Sequence, residues 1–563
     1  MTSALSPMQR RRDIDRLRSE TFDVLVIGGG ITGTGAALDA ASRGLSVGLI
    51  EQRDLASGTS SRSSKLIHGG LRYLEQLNFR LVWEALHERG LLLDRIAPHL
   101  VRPVSFLYPL THRVWERLYV GAGVTMYDLF ARAGVNPLPW HRQLSRRRAI
   151  ELFPSLRKDG LVGAIRYWDA QEDDARFVLT VARTAAGLGA AIAPSMIATG
   201  LRRDGDRVTG VETRCLECGE TFTINARTVI NATGVWTDKI QDFAGRGAIH
   251  VRASKGIHLV VPRDRIRGDT GLITKTEKSV LFVIPWDRHW IIGTTDTDWD
   301  LDLAHPAASS TDIEYLLKHI NKVIDPPLGH DDVAGVFAGL RPLLYGESDS
   351  TSKLTREHAV TEVVPGLITV AGGKYTTYRV MAKDAVDATV KSLGSDTPPS
   401  ATHDLALAGA EGYRDLWDRR EQIAVRRSLS LETVEHLLHR YGSMIEDIFG
   451  LIDADPTLGR TLSGGYLRAE IVYAASHEGA LHLDDVLTRR TRISVETADR
   501  GTDVAEEAAR LIGPLLGWDE QTRRREVTYY LARVEAERDS QRQPDDRTAD
   551  AVRLGAPDIR KST

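Results

Sequence analysis

Residues 23–51, DVLVIGGGITGTGAALDAASRGLSVGLIE, decide the fold class. The run DVLVI (23–27) is short, continuous and apolar, as a strand buried on both faces requires. Gly28, Gly30 and Gly33 follow as G-x-G-x-x-G, and an Ala-rich helical stretch then leads to a second apolar run, SVGLIE (46–51). In such a βαβ unit the first glycine permits a tight turn and the second lets a pyrophosphate approach the backbone. The third lets the helix pack closely on the strand. The helix start, at Ile31 and Thr32, offers N–H groups and a positive dipole end to phosphates. Glu51, closing the second strand, is placed to accept from a ribose hydroxyl. The glycine triplet alone is a weak signal. Strand, helix and acid together define a dinucleotide site, without separating NAD from FAD.

Working outward, TVINATG (228–234) and LITVAGG (367–373) repeat the strand-into-glycine-turn pattern far along the chain, which implies one sheet assembled from distant segments. Between them, GIHLVV (256–261), SVLFVIPW (279–286) and HWIIGTTD (289–296) read as antiparallel strands around the turn Trp286–His289. They predict a second, mostly antiparallel layer that covers the substrate. GSDTPPSAT (394–402) reads as a linker, and from Gly412 to about 542 the spacing is helical. The expected organisation is an N-terminal extension (1–20), an oxidoreductase-type α/β domain (21–395), a C-terminal helical domain (404–542) and a polar, disordered tail (543–563). Within 21–395, the expected nucleotide-binding parts are about 21–105, 155–250 and 335–395. The substrate-binding parts are about 106–154 and 251–334. The fold class is α/β + α, a Rossmann-like domain with an antiparallel substrate layer and a helical domain behind it.

The 563 residues carry 73 basic and 76 acidic side chains, a formal charge of −3, so no global field favours nucleic acid. An apolar content of 42% and a charged content of 26% are those of an ordinary globular chain. Two cysteines, Cys215 and Cys218, exclude a disulfide framework and suggest a reducing compartment. The opening MTSALSPMQRRRDIDRLRSE has arginines but no apolar segment behind them, so it reads as neither a secretory nor a twin-arginine signal. No run of ~18 apolar residues occurs, which argues against a spanning helix. The expected location is cytoplasmic.

GGGITGTGAALDAASRG (28–44), SGTSSRSSKLIHGGLRYLEQLNFRLVWEALHERGLL (57–92), VINATGVW (229–236), LFVIPW (281–286), IIGTTD (291–296), GLRPL (339–343) and VAGGKYTTYRVMA (370–382) closely resemble the FAD-dependent, quinone-linked glycerol-3-phosphate dehydrogenases. EIVYAASHEGALHLDDVLTRRTRISVE (470–496) extends the likeness, which runs from about residue 23 to 542. The resemblance implies a fold related to D-amino-acid oxidase. It also implies oxidation of sn-glycerol 3-phosphate to dihydroxyacetone phosphate, with electrons passed to quinone at the inner face of the cytoplasmic membrane. FAD contacts are implied at Gly28, Gly30, Ile31, Thr32, Gly33, Glu51, Thr59, Ser60, Ser63, Ser64 and Leu66. The later motifs add Ala232, Thr233, Gly234, Gly373, Lys374 and Thr376.

A dianionic phosphate and a secondary alcohol call for several cations and a base, and arginine's fork suits the phosphate. The resemblance implies Arg72, Tyr73, Arg356 and Lys374 as substrate contacts, and Arg341 as the arginine that faces the flavin across the substrate. His258 (KGIHLVV) matches the substrate-side histidine and is the expected general base. Thr294 is expected to orient the hydroxyl. Asp296 reads as a turn cap and His68 as a packing or flavin contact. An isolated arginine or strand histidine is more often structural; the motifs around these shift the balance.

C-x-x-C at 215–218 is half a zinc site at most, since only Glu217 and Glu220 lie near, so no metal is expected. It reads first as the tip of a β-hairpin and second as a redox pair. Residues 111–131 carry aromatics with interleaved arginines, which suits an interfacial helix or, equally, a packed amphipathic one. Alternatives to the quinone-linked reaction are an oxidase using O2, an amino-acid or hydroxy-acid oxidase, and a non-catalytic flavin-binding scaffold. Self-association as a homodimer stays open.

Overall fold

The structure is a computed structural model describing residues 4–75, 77–112, 114–135, 138–276, 280–345 and 357–560. The strand Thr21–Ile27 lies at the centre of a sheet in the order Leu367–Gly372, Thr221–Asn231, Thr21–Ile27, Val47–Glu51, Ala191–Pro194, all parallel. His358–Val364 closes one edge antiparallel. Successive residues of the central strand serve opposite cores. Val24 and Val26 pack against the helices Ile31–Ser42, Asp174–Gly187 and Tyr378–Leu393, while Leu25 and Ile27 meet Leu17, Val211, Val229 and Ile240. Burial on both faces explains the unbroken apolar run.

The hairpin Met196–Asp204/Arg207–Cys215 continues antiparallel onto the first half of Thr221–Asn231. The opening segment forms a helix, Pro7–Ser19, capped by Ser6 and fixed to this sheet through Leu17.

The second sheet centres on Val251–Pro262, flanked by Gly335–Leu344 on one side and by His289–Gly293 and Thr297–Trp299 on the other. It runs on through Val280–Trp286, Gly271–Lys275, Arg102–Leu110 and Gly163–Gln171 to Leu66–Ile67. Its pairings are antiparallel except between Gly271–Lys275 and Arg102–Leu110. The hairpin expected around Trp286–His289 forms, with Asp287 at φ 43°. The expected bounds of the two parts need correction. Gly335–Leu344 and Gly163–Gln171 belong to the substrate-side sheet, not to the nucleotide layer. Their membership is decided by pairing with strands remote in the chain, which local spacing does not encode.

Helices from Tyr413–Asp418 to Glu520–Ser540 form the C-terminal unit around two apolar cores. It is joined to the nucleotide layer by buried charge. Asp54, wholly buried, accepts from Arg489 Nε at 2.5 Å and from Arg490 Nη2 at 2.8 Å.

The disordered tail expected from composition is also corrected. Asp546–Arg553 is a helix, with Ala549 packed beside Trp299. Asp558 accepts from Arg53 at 2.7 and 2.8 Å, and buried Arg560 donates to Asp485 at 2.7 and 3.0 Å. The polar residues that suggest disorder are ion-pair partners here, and their partners lie 75 to 505 positions away.

Asp54→Ala leaves the buried Arg490 guanidinium without a carboxylate partner, at a cost of about 3–5 kcal/mol, while Arg489 keeps Asp484 and Asp485. It is expected to lower the thermal unfolding midpoint and to speed protease cleavage within 394–403. A midpoint unchanged from wild type would show that these pairs do not hold the C-terminal unit.

Candidate active site

One continuous cleft runs between the two sheets, from Gly28, Gly30 and Glu51 to His258, Arg341 and Lys374. At its nucleotide end the glycines act by absence. Gly28 has φ 115°, and a Cβ there would lie 2.6 Å from the Ala232 carbonyl oxygen; a Cβ on Gly33 would overlap the Gly28 carbonyl oxygen. The helix Ile31–Ser42 begins at Gly30 with no side-chain cap from that residue, and Ser60 Oγ accepts from Ile31 N–H at 3.0 Å. Glu51 accepts from the backbone N–H groups of Gly29 (2.7 Å) and Arg53 (2.8 Å). Burial still raises its carboxyl above the usual range.

Ile31, Thr32, Thr59, Ser60, Ser63, Ser64, Leu66, Ala232, Thr233, Gly234, Gly373 and Thr376 all line this cleft, as does His68. Gly33 lies under the turn instead. Thr376 Oγ1 accepts from His68 N–H at 3.1 Å, tying the second glycine turn to the HGG segment. A glycine-walled channel beside a helix start, with a carboxylate at the end of the second strand, fits FAD. Gly28, Gly30, Glu51, the 59–66 segment, 232–234 and 373–376 are the residues that would hold it.

At the other end, His258 Nε2 and Ser64 Oγ are 2.8 Å apart. The imidazole stacks on Phe337 (ring centroids 4.8 Å, 12°), its register partner in the adjacent strand. On the opposite side a Cβ at Gly293 would overlap the ring, so glycine there makes the room. Burial holds the imidazole well below its ordinary pKa, and the nearby Arg341 and Lys65 cations push it further down. His258 is therefore neutral at neutral pH.

Arg341 Nη2 donates to Thr294 Oγ1 and to the Thr295 carbonyl, both at 3.1 Å, and Nη1 lies 3.4 Å from Asp296. Gly256 makes this possible, because a Cβ there would overlap the guanidinium. Lys374 Nζ sits 3.6 Å over the Tyr73 ring, and both residues line the cleft. Arg72 opens the short helix Arg72–Glu75 beside them. Arg356 lies outside the described residues.

Several contributors were not legible in the motifs. Lys65, at φ 58° and buried, donates to Asp174 at 2.6 Å and to the Ser61 carbonyl at 2.8 Å. Its Nζ lies 4.9 Å over the ring of Phe337, on which His258 also stacks. Burial lowers its pKa to about 8. Asp174 also accepts from Ser63 N–H (2.9 Å), Ser63 Oγ (2.7 Å) and Arg492 of the C-terminal unit. Asp296 is not a turn cap alone, since it accepts from Ser254 and pairs with Arg341. The lysine inside SSKLIHGG was a visible signal; Phe337, Asp174 and Arg492 had none, because their relevance depends on tertiary contact. On the hairpin, Cys215 is buried and Cys218 exposed.

The glycine turn and the cleft define an FAD-dependent oxidoreductase, and a family model described as FAD dependent oxidoreductase matches residues 23–387. A second, described as the C-terminal domain of alpha-glycerophosphate oxidase, matches 400–523. The chain is 55% identical over 561 residues to glycerol-3-phosphate dehydrogenase 2 of Mycobacterium bovis, covering 99% of this chain and 96% of that one. It is 38% identical to the mitochondrial glycerol-3-phosphate dehydrogenase of Bos taurus, covering 92% and 74%. The solved glycerol-3-phosphate dehydrogenase from Bacillus halodurans, complexed with FAD, superposes with a TM-score of 0.77 at 29% identity, covering 94% of this chain and 98% of that one. This chain belongs to the FAD-dependent glycerol-3-phosphate dehydrogenase family.

A methyl group at Gly33 must displace backbone, at a cost of about 1–3 kcal/mol. Gly33→Ala is expected to fold with wild-type circular dichroism and to lose FAD affinity roughly tenfold or more. Flavin content measured on the purified variant decides; full retention would mean that this turn does not bear on the cofactor.

Proposed function

We propose that this chain oxidises sn-glycerol 3-phosphate to dihydroxyacetone phosphate, with FAD as the first acceptor and membrane quinone as the second. The observation that carries the reading is a neutral, clamped His258 in one cleft with the cations Arg341 and Lys374, beside a turn built for the cofactor. When bound, FAD supplies the acceptor for the hydride that leaves carbon 2. His258 takes the proton of the carbon-2 hydroxyl, and Ser64 together with Phe337 fixes the ring's orientation. A neutral imidazole is the form that can accept it. Arg341, steadied by Thr294, Thr295 and Asp296, places its charge where the alcohol oxygen gains negative character. Arg72, Tyr73, Arg356 and Lys374 bind the phosphate. The phosphate separates this substrate from a carboxylate, for which one arginine would suffice.

An exposed aromatic face supports contact with a membrane surface. The helix Trp115–Arg132 turns Val124, Tyr127 and Ala131 inward and leaves Trp115, Leu118 (68% exposed), Tyr119 and Leu129 outward. Phe79 and Trp83 of the helix Phe79–Leu91 are also exposed, and Phe79 meets Phe130 edge to face at 6.2 Å. Apolar patches of this kind mark interaction surfaces. With Arg117 and Arg132 beside it, the face suits a peripheral position on lipid. Among the described residues no helix is long and apolar enough to cross a membrane. Leu77 and Phe79 follow closely on Tyr73, so this face borders the cleft where a quinone would arrive.

Anaerobic addition of sn-glycerol 3-phosphate is expected to bleach the oxidised flavin, whereas glycerol and D-alanine do not. Reoxidation by a soluble quinone analogue should outpace reoxidation by oxygen. Absence of bleaching in flavin-loaded protein would overturn the substrate, and faster reoxidation by oxygen would favour the oxidase instead.

His258→Asn is expected to slow flavin reduction by about 10²–10⁴-fold with flavin content retained. Because the base works in its neutral form and its pKa lies well below 6.5, kcat/KM should stay flat from neutral pH through 6.5 and fall only at more acid pH. Lys65→Met removes a like charge, raises that pKa and should move the acid limb to higher pH. A limb centred at or above 6.5 in the wild type, or one unmoved by the substitution, would exclude His258 as the base.

A further inference from the structure

The tip of the hairpin formed by Arg207–Cys215 and Thr221–Asn231 carries the only two cysteines of the chain. Cys215 N–H donates to the Glu220 carbonyl at 2.8 Å, and Gly219 N–H donates to the Cys215 carbonyl at 2.9 Å. Gly219 takes φ 76°, which closes the turn tightly. The turn thereby folds Cys218 back toward Cys215. A donor arrives from outside the hairpin: Arg10 Nη2, on the first helix, lies 3.8 Å from the Cys215 sulfur. Cys215 is buried and Cys218 is exposed.

We propose that Cys215 and Cys218 are a reversible dithiol–disulfide pair, with Cys218 as the sulfur that meets the oxidant and Cys215 as the thiolate that resolves it. A guanidinium within reach of a sulfur favours its thiolate form. Burial opposes ionisation of Cys215, but its neighbours Cys218 and Arg10 outweigh it and lower its pKa. Burial and Cys215 raise that of Cys218, so Cys218 is oxidised because it is exposed and not because it is acidic. The oxidant proposed is a peroxide. It transfers oxygen to the exposed Cys218 sulfur, giving a sulfenic acid and one water. The Cys215 thiolate then attacks that sulfur; the S–S bond forms, the S–O bond breaks, and hydroxide leaves as water with a proton. Two thiols and one hydrogen peroxide give one disulfide and two waters. A dithiol reductant reverses the change by exchange.

The position gives the pair a connection to the rest of the molecule. Glu217, between the two cysteines, holds His482 of the C-terminal unit at 3.0 Å. Cys215 is the register partner of Met196, which lines the nucleotide end of the cleft. Arg10 ties the same point to the first helix.

The test uses full-length, FAD-loaded protein, reduced with dithiothreitol, freed of it and titrated with hydrogen peroxide. Free thiols are counted after denaturation and the intact mass is recorded. The expected result is a fall from two thiols to none with a monomeric mass lower by two hydrogens, restored by dithiothreitol. Cys218→Ser should keep its one buried thiol unreacted, and Cys215→Ser should hold a sulfenic acid on Cys218 that dimedone traps. Two surviving thiols would overturn the proposal. So would oxygen added to one sulfur without loss of the other thiol, or disulfide-linked dimers.

Discussion

A single buried carboxylate holds three parts of this molecule in register. Asp174 stands in the first turn of the helix Asp174–Gly187, which packs on the nucleotide sheet. From there it receives the backbone and side chain of Ser63, the ammonium of Lys65 and the guanidinium of Arg492. A carboxylate without exposure is tolerable only because all these donors converge on it. The segment it fixes, 59–66, carries Thr59, Ser60 and Ser64, so the cofactor wall and the hydroxyl on His258 are both set by this anchor. The C-terminal unit thereby gains a structural role in the site through Arg492, although none of its residues lines the cleft.

The chemistry of the substrate end depends on a tension between two needs. Phosphate recognition wants a concentration of positive charge, and proton abstraction wants a histidine that is not charged. Under the proposed reaction, placing His258 among cations would satisfy both, since Arg341 and Lys65 lower its affinity for a proton while their charge favours an anion. Phe337 contacts both Lys65 and the imidazole.

The helix Trp115–Arg132 carries apolar side chains on both its inner and its outer face. Tyr127 on its inner face donates to Asp169 at 2.6 Å and accepts from Gly69 N–H at 2.8 Å, which steadies the HGG segment beside Tyr73. The outer face leaves its aromatics to solvent. Amphipathic spacing alone does not tell a packed helix from an interfacial one, because each needs a single apolar stripe. Here both faces carry apolar residues, and the buried face is defined by partners from other strands.

The sequence by itself determined the βαβ unit, the three glycine turns and the antiparallel hairpin at 280–293, and it pointed to a part of the cleft lining. These features are local: a glycine that must adopt positive φ, a helix that must start beside it, and apolar runs bounded by turns lie within a few residues of one another. Only the tertiary structure decided that His258 meets Ser64 and Phe337, and that Gly335–Leu344 joins the substrate sheet. It likewise decided that the polar tail is ordered by Arg53, Lys255 and Asp485. Each of those depends on strand register or on charge pairing between residues far apart in the chain. Such contacts form only where the packed core brings the segments together, and a polar residue looks the same in sequence whether its partner is water or a buried counter-ion.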